Sequence, residues 1–140
     1  MAILKVEIVT PEKALWSGES TALMARSSEG QFTILPQHTA TVGDIVPGLV
    51  RVATSTGELS YCVHGGYFQV GPDGEVGITR TTVLASVAEL VSNIDVARAQ
   101  AAKEEAEAQL SQVDLDEGAR ARAESSLARA ELRLRVAAAR

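Results

Sequence analysis

Several residues in this chain have types and spacings suited to chemistry. In NIDVARA, residues 93–99, Asp95 and Arg98 stand three apart, which on a helix sets carboxylate and guanidinium on one face. The pair reads either as a helix cap with an internal ion pair or as half of a site. In LSYCVHG, residues 59–65, Cys62 and His64 point the same way from a strand. Thiolate and imidazole both bind zinc, but two ligands do not make a zinc site, and no metal is expected. His38 has a side chain able to act as a general base, yet no serine or cysteine nucleophile is suggested near it. A turn or contact role is the expectation there. Arg122, Arg129, Arg133 and Arg140 recur at 7-4-7 and line one helical face. That face suits an anion or an acidic partner segment, or it is a solvated surface neutralised by a neighbouring helix.

Other chemistries lack their residues. The only lysines are Lys5, Lys13 and Lys103, none of them in a Gly-x4-Gly-Lys-Ser/Thr phosphate loop. No Gly-x-Ser-x-Gly elbow occurs. Nothing argues for an autonomous enzyme.

The elements that must position these groups fall into two compositional halves. All five aromatics lie before residue 69, all four prolines before residue 73, and ten of eleven glycines before residue 78. Between these punctuators, apolar residues alternate. Leu4, Val6 and Ile8 share a face, as do Val50 and Val52, and as do Leu59, Tyr61 and Val63. Further strands are expected at 21–27, 31–35, 67–70, 75–79 and 81–86. GPDG at 71–74 reads as a hairpin turn, with Pro72 fixing φ and Gly74 able to take φ > 0. About eight short strands predict an antiparallel β-sandwich or barrel over residues 1–87.

Residues 88–140 predict an α-helical hairpin. From residue 87 onward the chain holds fifteen alanines, ten acids and eight bases, with no aromatic and no proline. Asp114 with Glu117 reads as a capping pair that separates helices near 93–112 and 116–139. The expected seam joins Leu90, Ile94, Ala97, Ala101 and Ala108 to Ala119, Ala123, Leu127, Ala130, Leu134 and Ala137. Pairs such as Glu131 with Arg135 are expected to bridge at i,i+4. An alanine-lined seam buries little per residue, so the hairpin is expected to form yet detach readily. Residues 116–140 carry six arginines against four acids, whereas residues 88–112 carry two bases against five acids.

Composition bounds the rest. A 140-residue chain with 46% hydrophobic residues suits one ordinary domain, or one small domain plus an appendage. Its net charge of −5 argues against nucleic acid as the main partner. No apolar run reaches membrane-spanning length, and Lys5 and Glu7 interrupt the start as they would not in a signal peptide. The single cysteine, Cys62, excludes an internal disulfide and fits a reducing cytoplasm.

Five segments in order, IVTPE (8–12), GQFTILPQH (30–38), PGLV (47–50), GGYFQV (65–70) and IDVARA (94–99), resemble the epsilon subunit of bacterial F-type ATP synthases. The resemblance spans nearly the whole chain. It implies an N-terminal β-sandwich, a C-terminal two-helix hairpin and a non-catalytic rotor subunit of the proton-translocating synthase. The implied partners are the gamma subunit, the c-subunit ring and, with the hairpin extended, the alpha and beta subunits. The implied location is peripheral, on the cytoplasmic side of the bacterial plasma membrane, reached only through the c-ring. Gln31 and His38 fall where the family contacts the ring or gamma. Many relatives read Pro-Gly-His-x-Pro-Leu where this chain has Pro36-Gln37-His38-Thr39-Ala40-Thr41, a change expected to reshape that turn.

In this family the folded hairpin permits ATP hydrolysis, and the extended one blocks it by laying its basic helix against beta. Arg122, Arg129 and Arg133 match that role. No cofactor is required, but some relatives bind ATP as a regulatory ligand on the folded form. The matching residues are Glu89, Ile94, Asp95, Arg98, Arg129 and Arg133. Carboxylates there accept from adenine or ribose, and arginines clamp phosphates. One position departs: Glu105 stands where such relatives have an arginine, and an acid there repels phosphate. Three readings follow: a regulatory rotor subunit that inhibits hydrolysis, an ATP sensor, and a structural coupler with an inert hairpin.

Overall fold

Period-two alternation in the first ninety residues builds two five-stranded sheets in the computed structural model, which describes residues 2–139. The strands are β1 (Ile3–Val9), β2 (Ala14–Ser20), β3 (Ala22–Ser27), β4 (Gly30–Ile34), β5 (Thr41–Ile45), β6 (Gly48–Thr54), β7 (Gly57–Val63), β8 (Gly66–Pro72), β9 (Ile78–Ala85) and β10 (Ala88–Leu90). One sheet has the order β2-β1-β9-β8-β5 and the other β10-β7-β6-β3-β4. Every pairing is antiparallel except β1 with β9. The first sheet contributes Leu4, Val6, Ile8, Phe68, Val70 and Val83 to the core, and the second contributes Leu23, Ile34, Val50, Val52, Tyr61 and Val63. Alternate residues on each strand thus meet as a sandwich.

The inward parities expected for β1, β6 and β7 hold, since Leu4, Val6, Ile8, Val50, Val52 and Val63 are fully buried. Three strands escaped the sequence reading. β2 and β5 are the edges of the first sheet, and each carries a glycine that makes it read as loop. Gly43 in β5 is there for close approach: a Cβ would lie 2.6 Å from Phe68 Cε1. That ring stacks on Phe32 at a centroid distance of 4.5 Å. The third, β10, pairs Glu89 with Cys62 and Leu90 with Tyr61, so the sheet unit runs through Leu90, beyond the compositional boundary at 87/88. Residues 75–77 form a turn rather than a strand, with Gly74 at φ 76° as GPDG suggested and Asp73 N–H donating to Ile78 O at 3.0 Å.

The second unit, Val91–Arg140, begins with a 3-10 turn at Val91–Asn93, then α1 (Val96–Leu110) and α2 (Glu117–Ala138), which pack on one another as a hairpin. The cap of α2 is Asp116 and not Asp114: its carboxylate accepts from Ala119 N at 2.7 Å. Only Asp116 directly precedes the first helical residue. On α2 the expected stripe is found, with Ala123, Ala130 and Ala137 buried and Ala119, Leu127 and Leu134 half-buried, but Leu132 and Val136, outside that stripe, are buried as well. On α1 the stripe differs. Ala97, Ala101 and Ala108 are exposed, while Ala99 and Ala106 are buried and Ala102 and Leu110 half-buried. With alanines on several faces of α1, only packing selects which face is covered. Glu131 and Arg135 do not bridge; both are exposed.

Candidate functional site

The junction residues of NIDVARA are positioned by the start of α1. Asp95 takes an extended conformation, φ −86° and ψ 101°, and its Oδ1 accepts from the Arg98 backbone amide at 3.1 Å. The cap is therefore made through the Arg98 main chain, leaving its exposed guanidinium for other contacts. Ile94 is buried just before the cap and Val91 one turn earlier. Carboxylate and guanidinium share one exposed helical turn, as the spacing required.

Arg129 and Arg133 lie one turn apart on α2, Arg129 exposed and Arg133 half-buried. Arg129 Nη2 donates to Ser126 Oγ at 3.2 Å, which holds the guanidinium along the helix. Arg122 is exposed one heptad before Arg129, so the three share a face. Arg140 lies outside the described residues. The 3-10 turn packs on α2, so within the hairpin the start of α1 and the later turns of α2 come to the same end. Ile94, Asp95, Arg98, Arg129 and Arg133 all belong to this unit, whereas Glu89 belongs to β10 of the sheet unit. Glu105 is exposed on α1.

Gln31 is exposed on β4, opposite Arg26. His38 closes the turn that follows: its backbone N–H donates to Leu35 O at 3.1 Å. Pro36 and Gln37 occupy the centre of this turn, and Gln37 has φ 71°. That is a type II turn, whose third position favours glycine. The departure from the Pro-Gly-His pattern has thus not removed the positive-φ backbone; a glutamine is held in it. Thr79 Oγ1 accepts from Gln37 N at 2.9 Å and pins the turn to β9. The half-buried His38 ring contacts Thr39 O through Nδ1 at 2.8 Å.

Two features were not foreseen from sequence. The outer face of the first sheet exposes Val42 (75%), Tyr67 (67%) and Leu84 (48%) together, with Tyr67 directly opposite Leu84. A shallow apolar cleft beside them is lined by Val9, Pro11, Gly66, Tyr67 and Leu84. The available signal was Tyr67 and Leu84 standing one residue out of parity with the inward Phe68 and Val83. The second feature is an ion cluster assembled by the parallel β1–β9 register, which sets Lys5 beside Arg80. Arg80 donates to Asp73 Oδ2 at 3.0 Å and also to Glu7, and Lys5 Nζ lies 3.8 Å from Asp73. The Arg80 hydrogen bond holds the Asp73 carboxyl below its ordinary range, and Asp73 in turn raises Arg80. Its two acids and two bases neutralise one another, so it is a surface staple with little net worth.

Comparison with known proteins covers both units. A profile described as the beta-sandwich domain of the ATP synthase delta/epsilon chain matches residues 3–91, and one for the long alpha-helix domain of the same chain matches residues 92–138. The ATP synthase epsilon chain of Thermobifida fusca is 41% identical over 146 residues, covering 100% of this chain and 91% of that one. That of Alkalihalophilus pseudofirmus is 39% identical over 116 residues, covering 83% of each. Among solved structures, a chain of the Euglena gracilis mitochondrial ATP synthase, in an assembly of OSCP, F1 and c-ring, superposes with a TM-score of 0.71 at 24% identity. That match covers 91% of this chain and 76% of the other, and it speaks to fold. Among the described residues no helix is long and apolar enough to cross a membrane.

Proposed function

Since the chain belongs to the ATP synthase delta/epsilon family, we propose that it is a non-catalytic central-stalk subunit whose C-terminal hairpin restrains ATP hydrolysis. In this reading the sandwich joins the gamma subunit to the c-ring. It holds the protein at the cytoplasmic face of the membrane without entering it. The Val42, Tyr67 and Leu84 patch offers an apolar surface for a stalk partner, and Gln31 and His38 offer polar contacts on the β4 edge and its turn.

The observation that carries the regulatory part is the make-up of the hairpin. Its helices are individually well capped by Asp95 and Asp116. Yet apart from Leu132 and Val136 on α2, the buried residues of α1 and α2 are all alanines: Ala99, Ala106, Ala123, Ala130 and Ala137. At ~0.8 kcal/mol per methyl-sized group the alanines contribute about 4 kcal/mol, and the two larger side chains roughly 1.5–3 kcal/mol each. Helices that are capped locally and joined largely through alanine suit a two-state element, and a ligand preferring one state shifts it. In the extended state Arg122, Arg129 and Arg133 would present a cationic stripe to an acidic segment of beta.

Removing residues 91–140 and assaying ATP hydrolysis by the reassembled complex tests this. Hydrolysis should rise; unchanged hydrolysis would leave only a structural coupler. The second reading, a nucleotide sensor, draws on Asp95, Arg98, Arg129 and Arg133 belonging to one unit, with Asp95 capping α1 through the Arg98 main chain and not its guanidinium. Calorimetric titration of the isolated protein with ATP decides it. Heat at millimolar ATP that disappears in Arg98→Ala supports the sensor, and no heat removes it.

A further inference from the structure

Cys62, on β7, and Glu89, on β10, are cross-strand partners, and His64 follows Cys62 by two residues on the same face. Their ligand atoms converge. His64 Nε2 lies 3.7 Å from Cys62 Sγ and 3.5 Å from Glu89 Oε1, and all three atoms fall within 4.8 Å of one another. We propose that these three side chains form a site for one zinc-class divalent cation, with a fourth coordination position left to an exchangeable ligand such as water.

The geometry is close to what the ion requires. A tetrahedral zinc with bonds of ~2.3 Å to sulfur and ~2.0 Å to nitrogen and oxygen separates S from N by about 3.5 Å and N from O by about 3.3 Å. Two edges of that tetrahedron are already nearly in place. The third, between Cys62 Sγ and a Glu89 carboxylate oxygen, is no longer than 4.8 Å. The scaffold beneath is rigid, because the ligands sit on a paired ladder. The His64 main chain is further fixed, its N–H donating to Val87 O at 2.9 Å and its carbonyl accepting from Ser86 Oγ at 3.2 Å.

Donor chemistry selects the class of cation. Sulfur with imidazole and one carboxylate suits zinc and its neighbours in the transition series, whereas magnesium and calcium demand oxygen shells. Charge also fits the burial. Cys62 is fully buried and the His64 side chain is 7% exposed, while Glu89 at 30% leaves a route for entry. Binding M²⁺ expels the thiol proton to solvent, and thiolate plus carboxylate then balance the cation. The site thus passes from a charge of −1 to neutral. The ion would clip the short strand β10, which ends at the boundary between the two units, to β7.

The full chain titrated with Zn²⁺ by calorimetry, in buffers of different ionisation heat, should bind one ion and release about one proton per ion near neutral pH, the proton the thiol gives up to the metal. Co²⁺ should produce a thiolate charge-transfer band and the visible bands of a tetrahedral ion. Mg²⁺ should not compete. Cys62→Ser should abolish the charge-transfer band, and Glu89→Gln should weaken binding roughly tenfold or more. His38→Gln, which removes the other histidine, should change neither. The cobalt spectrum and proton count of the unaltered chain stand even where a variant folds poorly. Absence of the charge-transfer band, binding that survives Cys62→Ser, or binding lost with His38 would each overturn the proposal.

Discussion

Gly66 opens β8, hydrogen-bonded between β5 and β9, with Ile45 on one side and Ala85 on the other. A Cβ there would lie 2.1 Å from Leu84 O and 3.0 Å from Ala85 Cα. Ordinary C···O contacts begin at ~3.3 Å, so Gly66→Ala demands a shift of about 1 Å between backbones that are tied on both sides. No rotamer change can supply it, because both obstructing groups are main chain. Overpacking into side chains costs typically 1–3 kcal/mol, and a backbone obstruction belongs at the upper end, about 3 kcal/mol. In a unit of this size that lowers Tm by roughly 12–24 °C. The assay can isolate the sandwich, since Trp16, the sole tryptophan, lies on β2 and its fluorescence follows that unit alone. Gly71→Ala serves as the control, because nothing lies within 4 Å of its Cβ position. A Gly66→Ala midpoint within about 4 °C of the parent, or equal to that of Gly71→Ala, would refute the reasoning.

Other substitutions follow from single contacts. Thr81 is fully buried and its Oγ1 has no hydrogen-bond partner among the described residues. Thr81→Val, equal in shape, should therefore stabilise the sandwich by about 1 kcal/mol, read as a higher midpoint of urea unfolding. Gln37→Gly relieves a side chain held at φ 71° and should gain about 0.5–1 kcal/mol, partly offset by unfolded-state entropy. Thermal melts decide the sign. Asp73 has its folded pKa depressed by the Arg80 hydrogen bond. Its stabilising contribution is present above the ordinary aspartate range and lost as pH falls through the folded value. Asp73→Asn should accordingly flatten stability against pH on the acid side and leave the neutral-to-alkaline profile unchanged in slope. Tyr61 is raised above 10 by burial, so the folded state holds that proton longer. Stability should fall as pH rises past 10, and Tyr61→Phe should remove that fall.

Much of the sandwich was legible because its central strands alternate cleanly. β1 and β6 bury every second residue, β7 keeps Tyr61 and Val63 in the core, and a period of two is visible without any partner. β2 and β5 were not legible, since ALWSGES and TVGDI carry weak alternation and become strands only by pairing with β1 and β8. The parallel β1–β9 pairing joins residues more than seventy positions apart and leaves no local mark. In the hairpin, helix existence was evident from composition, and the α2 stripe was evident from its leucines among alanines. The α1 stripe was not, because alanine recurs on too many faces for spacing to choose one. Asp114 and Asp116 are equally good caps by type, and the observed start of α2 selects between them.

The candidate sites divide in the same way. Asp95 and Arg98, Arg122 with Arg129 and Arg133, and Cys62 with His64 lie close in the chain, and local periodicity alone put each set on one face. Glu89 beside Cys62, Arg80 beside Glu7, and Val42 on the same face as Tyr67 and Leu84 are separated by long stretches of chain. Only strand pairing unites them. Backbone geometry repeats over two to seven residues, so sequence by itself determines which neighbours share a face. Which distant faces meet depends on sheet order and register, which are set by the burial of the whole core, and that the tertiary structure alone decides.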